Sequence, residues 1–200
     1  MSRGLGDVYK RQGEYIVCEL KPATGYLPNG ESYPMTISEN KEVVEINVLN
    51  DKIPELKTTA AIDGKKEFTV NGDVTIDDVV SYKHLVPGKE YTVKGILMDK
   101  ATGKPFLVDG KEITSEVTFT AEKANSEVTV SFTFDGSVIT KETEIVVFEA
   151  LYREGTEIAV HADIEDEGQT VTIHPQPEPE KPQTGDNSNL GFYIGLSLIH

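Results

Sequence analysis

The sequence predicts an all-β protein, an immunoglobulin-like β-sandwich, and three observations lead to this prediction. Short segments rich in Thr, Val and Glu alternate apolar and polar residues, which is the period of a half-buried strand. Turn dipeptides such as Asp63-Gly64 and Asp109-Gly110 separate these segments. The content of Val, Ile, Leu, Phe and Tyr is sufficient to fill the space between two sheets. A β-barrel is the alternative arrangement of the same strands.

The segments predicted as strands share this alternation and cover residues 13–20, 33–37, 42–50, 56–62, 66–71, 74–82, 90–99, 104–108, 111–121, 126–134, 144–152, 156–162 and 168–174. Residues 76–85 also allow an interpretation as one or more helical turns. Acids at 77 and 78 suit the start of a helix, and Lys83 and His84 suit its end.

The charge balance limits the kinds of partner. The net charge is −15 and the sequence has no basic cluster, so nucleic acids and anionic membranes are poor partners. The single cysteine, Cys18, excludes an internal disulfide. The spacing of His84, His161 and His174 does not match a metal-ligand set, and the sequence contains no phosphate-binding loop. We therefore expect no metal, no cofactor and no small-molecule substrate.

The chain divides into five parts. Residues 1–12 and 196–200 are interpreted as artefacts of the kind that sequencing adapters leave in assembled environmental DNA, and they are left out of the fold prediction. Residues 13–53 are predicted to be a partial module, and residues 54–174 a second, complete module. Residues 175–195 contain a Pro-Glu spacer, expected to be extended and disordered, and a short motif.

The partial module contains three recognisable motifs, Tyr15-Ile-Val-Cys-Glu19, Pro22-Ala-Thr-Gly-Tyr26 and Val48-Leu-Asn50. Together they resemble the C-terminal half of a Cna-B (SpaA-type) domain of Gram-positive surface proteins. The resemblance implies that Asn50 accepts an isopeptide bond from a Lys with the help of Glu19. The half that carries this Lys is absent, so the bond is not expected within residues 13–53. A piece with so few strands cannot bury its apolar face, and we expect it to be poorly ordered or to pair with something that it would not meet in the native protein.

Polar residues occupy core-facing positions of the second module. Thr58 is in phase with apolar residues of the first strand, Glu149 with those of a later strand, and Gln169 with those of the last strand. His161 and Asp166 precede Gln169 closely in the chain. Each could separately be an ordinary hydrogen-bonded core or turn residue. Together they suggest that the Thr hydroxyl attacks the Gln carbonyl with loss of ammonia, which would join the two strands by an ester. A buried Glu149 is expected to have a raised pKa and to stay protonated.

A second resemblance rests on three further motifs, Pro54-x-Leu-x-Thr58-x-Ala60, Val147-Phe-Glu149 and His161-x-Asp-x-x-Asp166-x-x-Gln169-Thr-Val171. They resemble the Thr–Gln ester-bond domains, or VaFE repeats, of Gram-positive adhesin and pilus stalks. The resemblance implies that Thr58 and Gln169 are cross-linked without an external enzyme. It also implies that His161, Asp166 and Glu149 promote the reaction. Thr59 is the alternative nucleophile, although alternation places it on the opposite face.

The C-terminal motif Lys181-Pro-Gln-Thr-Gly185 resembles the sortase sorting signal, with Lys in the position where Leu is usual. Pro182, Thr184 and Gly185 match that signal, and the motif lies between a Pro-rich spacer and an apolar segment. The resemblance implies cleavage between Thr184 and Gly185 by a sortase and attachment to peptidoglycan. An ordinary disordered tail is the alternative.

Taken together, these patterns predict a structural stalk module of an extracellular adhesin or pilus-like protein that is covalently anchored to the Gram-positive cell wall. Its only reaction would be a single-turnover cross-link within its own chain, so it is not expected to be an enzyme. A ligand-binding adhesin domain without a cross-link, which recognises carbohydrate or a host protein, is one alternative. A secreted hydrolase that uses His161 and an acid is the other, and it would need a nucleophile open to solvent.

Overall fold

The computed structural model describes residues 12–39 and 43–177. Apart from a short 3-10 turn at Gly136–Val138, all the regular structure in these residues is β, which confirms the predicted fold class. The strands are β1 (Gly13–Cys18), β2 (Ser32–Ile37), β3 (Glu55–Ala61), β4 (Glu67–Thr69), β5 (Asp73–Lys83), β6 (Glu90–Asp99), β7 (Lys104–Pro105), β8 (Leu107–Val108), β9 (Lys111–Glu112), β10 (Thr114–Thr120), β11 (Ser126–Asp135), β12 (Thr143–Arg153), β13 (Thr156–His161) and β14 (Thr170–His174).

Two sheets form the body of the second module. The larger has the order β10-β6-β12-β14-β4, with β13 paired to β12 and β7 paired to β6, and the smaller has the order β11-β5-β3. Their apolar faces meet in one core, to which Ile76 and Phe132 contribute from the smaller sheet and Leu97 and Ile173 from the larger. Gly95 of β6 has no side chain because a Cβ there would lie 2.4 Å from Phe132 Cζ. This arrangement is a sandwich and not a barrel.

Residues 76–85, for which the sequence allowed either a strand or a helix, lie in a strand as far as Lys83. β5 runs from Asp73 to Lys83, and its buried residues alternate strictly with more exposed ones. The helical interpretation of residues 76–85 is therefore wrong, because burial of every second residue requires a strand period. The strand ends where His84 adopts a positive φ of 66°.

The first and last strands of the module come together at one point. β3 is an edge strand that pairs with β5, whereas β14 lies between β12 and β4 and pairs with β4 in parallel. Between the sheets, Ala60 N of β3 donates a hydrogen bond to the carbonyl of Gly168 at 3.0 Å. The backbone of β3 thus lies beside the turn that leads into β14.

The partial module departs from the prediction. β1 and β2 form an antiparallel hairpin, but residues 43–50, the described part of the predicted strand 42–50, are not in a strand. The segment is held instead by the residues that follow it. Leu27 N donates a hydrogen bond to the Asp51 carbonyl, and Ile53 N donates one to the Gly25 carbonyl. A strand needs a neighbour for its backbone groups, and no described strand pairs with residues 43–50.

Two predicted strands of the second module are interrupted. Residues 104–108 divide into β7 and β8, and residues 111–121 divide into β9 and β10. Phe106 lies at the first break, where it turns into the core and packs against Phe134 at a centroid distance of 5.2 Å. The backbone of Phe106 stays next to the larger sheet, because its N donates a hydrogen bond to the Leu97 carbonyl of β6 at 2.8 Å.

The connection between the modules is short. Ile53 is hydrogen bonded to the partial module, Pro54 is buried, and β3 begins at Glu55. An ion pair crosses the junction, with Arg153 Nη1 at 2.6 Å from Asp51 Oδ2. Within residues 12–39 and 43–177, the structure contains no helix long and apolar enough to span a membrane.

Candidate functional site

Three polar side chains from different strands are buried together in the sandwich. Thr58 on β3 is 2% exposed, Glu149 on β12 is 2% exposed, and Gln169, immediately before β14, is fully buried. Thr58 and Glu149 occupy core-facing positions because side chains alternate along their strands, whereas Gln169 is buried at the end of the turn that leads into β14. Thr59 is exposed, so the structure directs Thr58 and not Thr59 into the core.

Glu149 and β12, the strand that carries it, hold Gln169 in place. Gln169 Nε2 donates a hydrogen bond to Glu149 Oε2 at 2.8 Å, and the Gln169 backbone carbonyl accepts one from Val147 N at 3.1 Å. Gln169 Oε1 and Thr58 Oγ1 are buried and have no hydrogen-bond partner among the described residues. A buried polar atom without a partner costs about 1–3 kcal/mol. The amide is therefore oriented by its nitrogen, while its carbonyl is left unpaired.

The Glu149 carboxyl adjoins both members of the predicted cross-link. Gln169 and Thr58 each interact with it and lower its pKa. The amide is thus hydrogen bonded to this carboxyl, and the Thr58 hydroxyl lies near it without a hydrogen bond. Glu149 is positioned to exchange protons with either of them.

Asp78 on β5 is a fourth buried polar residue of the site, and sequence reasoning missed it. It is fully buried, and its carboxyl adjoins that of Glu149. Burial, followed by this neighbouring carboxyl, raises the pKa of Glu149 to about 11. Burial also raises the pKa of Asp78. Two adjacent buried carboxyls cannot both ionise readily, so the pair holds at least one proton at neutral pH.

The sequence contains a signal for Asp78. It lies in phase with the buried residues Ile76 and Val80, the same pattern that identified Thr58 and Glu149. The signal was obscured because the helical alternative assigned Asp78 to a solvent-exposed helix start. Alternation along β5 identifies it without ambiguity.

His161 and Asp166 form a pair at the rim of the site. His161 Nε2 lies 2.9 Å from Asp166 Oδ2, and the two side chains are 22% and 31% exposed. The other ring nitrogen, Nδ1, lies 3.4 Å from the carbonyl of Leu56. The hydrogen bond from His161 is the main reason that the pKa of Asp166 is lowered. Asp166 Oδ1 also accepts from Gly168 N at 2.7 Å, which fixes the turn before Gln169.

The register connects this rim pair to the buried acid. β12 and β13 are antiparallel, and His161 is the direct partner of Glu149 across the two strands. The structure therefore brings together all five residues predicted for the second module, Thr58, Glu149, His161, Asp166 and Gln169.

The residues predicted for the partial module also meet. Asn50 Nδ2 donates to the Glu19 carboxylate, at 2.9 Å from Oε1 and 2.8 Å from Oε2, and to the Leu27 carbonyl at 3.0 Å. Both Asn50 and Glu19 are half-buried. Pro182, Thr184 and Gly185 of the predicted sorting motif lie outside the described residues.

The described residues contain no group of three or more His, Cys, Asp or Glu side chains placed to hold a metal ion. The buried cluster contains the kinds of group that acyl transfer uses. It has a hydroxyl, an amide whose nitrogen is hydrogen bonded, and an acid pair that retains a proton.

Comparisons with known proteins agree with this geometry. The family described as the T-Q ester bond containing domain matches residues 54–173. A bacterial adhesin from Mobiluncus mulieris, described as containing intramolecular disulfide, isopeptide and ester bond cross-links, is similar in two crystal forms. The TM-scores are 0.53 and 0.51 at 21% sequence identity, with 62% of this chain and 58% of that chain covered in each case. This similarity supports the fold.

A crystal structure of the major pilin subunit of Bacillus cereus matches with a TM-score of 0.38 and 14% identity, covering 82% of this chain and 56% of that chain. The chain spans less than two thirds of the length of each of these solved structures. No curated protein matches it.

Proposed function

Because the chain belongs to the T-Q ester bond containing domain family, we propose that residues 54–174 are a structural stalk module that cross-links itself through a Thr58–Gln169 ester. The observation that carries the proposal is the buried contact between Gln169 Nε2 and Glu149 Oε2, at 2.8 Å, on the carboxyl that Thr58 also adjoins. An amide held this way, with a hydroxyl nearby and solvent excluded, is arranged for acyl transfer.

The proposed reaction balances within the two side chains. Thr58 Oγ1 bonds to Gln169 Cδ, the Cδ–Nε2 bond breaks, and ammonia leaves. Glu149 gives a proton to the leaving nitrogen and receives the proton of the Thr58 hydroxyl, so the acid is regenerated. The raised pKa of Glu149 keeps that proton available at neutral pH.

We assign a promoting role to His161 and Asp166. Their contact and the hydrogen bond from Gly168 N to Asp166 order the turn that presents Gln169. The residues act once, on their own chain, so the module has no turnover and is not an enzyme in the ordinary sense. A dry site also protects the ester from hydrolysis once it has formed.

The cross-link would give the module its mechanical role. The bond joins a position near the start of the module to one near its end, so tension would pass through the ester while the strands between carry little load. It also closes a loop of about 110 residues, which by analogy with a disulfide stabilises the fold by about 4–5 kcal/mol.

We extend the proposal to location and partners. Pro182, Thr184 and Gly185 would form the sorting motif that a sortase cleaves and joins to peptidoglycan, which would anchor an adhesin or pilus-like protein outside the cell. Asn50 and Glu19 would belong to a Cna-B module, because their hydrogen-bonded contact matches the roles that the resemblance implies.

Intact-mass measurement of the full chain tests the cross-link. We expect the folded protein to be lighter than its sequence by one ammonia, and Thr58→Ala to keep the full mass. Thr59→Ala is the matched control and should still lose ammonia, because Thr59 is exposed. Hydroxylamine, which cleaves esters and leaves isopeptides intact, should break the bond. A folded wild-type chain of unchanged mass would falsify the proposal.

Ligand binding is the second candidate function. A cavity of about 630 Å³ lies on the larger sheet, where Phe148, Tyr152 and Val160 line it. Lys94, which also lines it, lies 5.4 Å from the centre of the Tyr152 ring. A glycan or host-protein array tests this function: binding that Tyr152→Ala abolishes would support it, and an unchanged binding profile would contradict it.

A further inference from the structure

Lys66 is tied by its backbone to the strand that follows the reacting amide. It immediately precedes β4, which pairs in parallel with β14. The Lys66 carbonyl accepts a hydrogen bond from Thr172 N at 2.7 Å. The backbone of Lys66 is therefore held at Thr172, which lies three residues after Gln169 in the chain.

The Lys66 side chain contacts Gly168, the residue that precedes Gln169 in the chain. Its Nζ donates a hydrogen bond to the carbonyl of Gly168 at 2.5 Å. That carbonyl also accepts from Ala60 N, two residues after Thr58. One oxygen thus joins the strand that bears the hydroxyl, the turn that bears the amide, and a cation.

The turn has little freedom at this carbonyl. A Cβ on Gly168 would lie 2.9 Å from Asp166 Oδ1 and 3.5 Å from the carbonyl of Thr58. The absence of a side chain at Gly168 lets the turn approach β3 closely. A hydrogen bond to the Gly168 carbonyl therefore fixes how far Gln169 lies from Thr58.

The charge of Lys66 also faces the site. Its ammonium is attracted to the carboxyls of Asp78 and Asp166. Burial acts against the charged form and lowers the pKa of Lys66. The Lys66 side chain is still exposed, so water weakens these attractions and the hydrogen bond to Gly168 is its main contact with the site.

We propose that Lys66 is a positioning residue for ester formation, which holds the Gly168 carbonyl against β3 and so keeps the Gln169 side chain next to Thr58. The inference rests on the proposed cross-link and adds a residue that lies outside the buried cluster. Lys66 acts through the turn, and it does not touch the bonds that form and break.

The test is the rate of ammonia loss by the full chain, followed by intact mass at fixed times after cell-free synthesis. Lys66→Met should slow the reaction by about tenfold to a hundredfold, the range expected for a small displacement of a reacting group. Lys66→Arg keeps a cationic donor and should restore most of the rate. Lys65→Met removes an exposed neighbouring charge and is the matched control, expected to react at the wild-type rate.

Thermal unfolding in a Thr58→Ala background separates positioning from folding. Lys66→Met should unfold there at nearly the same temperature as its parent, because it removes one surface-accessible hydrogen bond. Equal rates for Lys66→Met and Lys65→Met would overturn the inference and leave the cross-link standing. A rate lost in Lys66→Met and not recovered in Lys66→Arg, together with an equal loss of thermal stability, would also overturn it. A wild-type chain that never loses ammonia would overturn the proposed function and this inference with it.

Discussion

The molecule contains two pairs of an amide and a glutamate that are nearly alike in geometry and opposite in surroundings. Gln169 donates to Glu149 at 2.8 Å, and Asn50 donates to Glu19 at 2.8 and 2.9 Å. The first pair is buried, whereas the second is half-buried. Burial and a neighbouring acid raise the pKa of Glu149 to about 11.

The difference teaches that a hydrogen-bonded amide is not by itself a reactive one. The partial module leaves large apolar side chains in water, among them Ile16 at 74%, Leu20 at 96% and Leu49 at 86% exposure. Water there can hydrate the carboxylate and compete for the amide. The sandwich removes water from Glu149 and places a hydroxyl near it, which are two conditions that the proposed acyl transfer needs.

The largest expected effect is on the free energy of unfolding, which should respond differently to substitutions at the Gln169–Glu149 site and at the Asn50–Glu19 pair. Thr58→Ala should lower the free energy of unfolding by about 4–5 kcal/mol, because the loop-closing bond is lost. Asn50→Ala should change it by less than about 1 kcal/mol, because it removes a half-buried hydrogen bond. Chemical denaturation of the full chain measures both. Equal losses in the two variants would show that the buried pair carries no cross-link.

The next effect concerns the rate of the cross-link. Glu149→Gln removes the acid that serves the leaving nitrogen, and we expect ammonia loss to slow by about a hundredfold to ten-thousandfold. Glu19→Gln is the matched substitution in the partial module and should leave the rate unchanged. Intact mass followed over time after synthesis measures the ratio. A Glu149→Gln variant as fast as Glu19→Gln would remove Glu149 from the mechanism.

A smaller effect is a pH dependence of stability in the uncross-linked Thr58→Ala background. Glu149 has a pKa of 4.5 as an ordinary glutamate and about 11 in the folded protein, so between these values the folded state binds the extra proton. This stabilisation is complete below the unfolded pKa and is lost as pH rises towards the folded one. The slope is at most about 1.4 kcal/mol per pH unit for one proton.

Denaturation at pH values from about 6 to about 9, which lie between the two pKa values of Glu149, checks this expectation. Stability should fall with rising pH in Thr58→Ala, and adding Glu149→Gln should flatten the fall. Adding Glu19→Gln instead should leave the slope as it was. A stability that rises with pH in this range would contradict the protonated state assigned to the buried acids.

The smallest effect lies at the junction between the two regions. Arg153 and Asp51 form a close ion pair, but their side chains are 22% and 42% exposed. A double-mutant cycle with Arg153→Ala and Asp51→Ala should give a coupling energy of about 0.2–1 kcal/mol. A coupling of several kcal/mol would mean that the two regions unfold as one unit.

Much of the sandwich follows from the sequence, because alternation is a local signal. It predicted the bounds of β6 correctly as residues 90–99. It also favoured Thr58 over Thr59 as the core-facing residue, and in the structure Thr58 is buried and Thr59 is exposed. Alternation also assigns Glu149 and Gln169 to core-facing positions, and both are buried. Residues 42–50 carry the same signal, yet residues 43–50 are not in a strand, since a strand also needs a neighbour and no described strand pairs with them.

Other parts of the site depend on contacts that no local pattern encodes. Lys66 and Gly168 are 102 residues apart in the chain, and nothing in the stretch around Lys66 predicts their hydrogen bond. Asp78 carried a detectable signal, but its pairing with Glu149 depends on how two sheets face each other. Sequence alternation therefore predicts which side chains are buried, whereas the fold determines which of them meet.

The position of β14 has a consequence for the timing of the reaction. β14 completes the larger sheet by joining β12 to β4, strands separated by most of the module. A chain made from its N-terminus cannot bring Gln169 to Thr58 until this last strand has been synthesised and has entered the sheet. The bond would then be a record of completed folding, since an unfinished or misregistered domain cannot make it. Each molecule that has lost its ammonia has, at least once, been correctly folded.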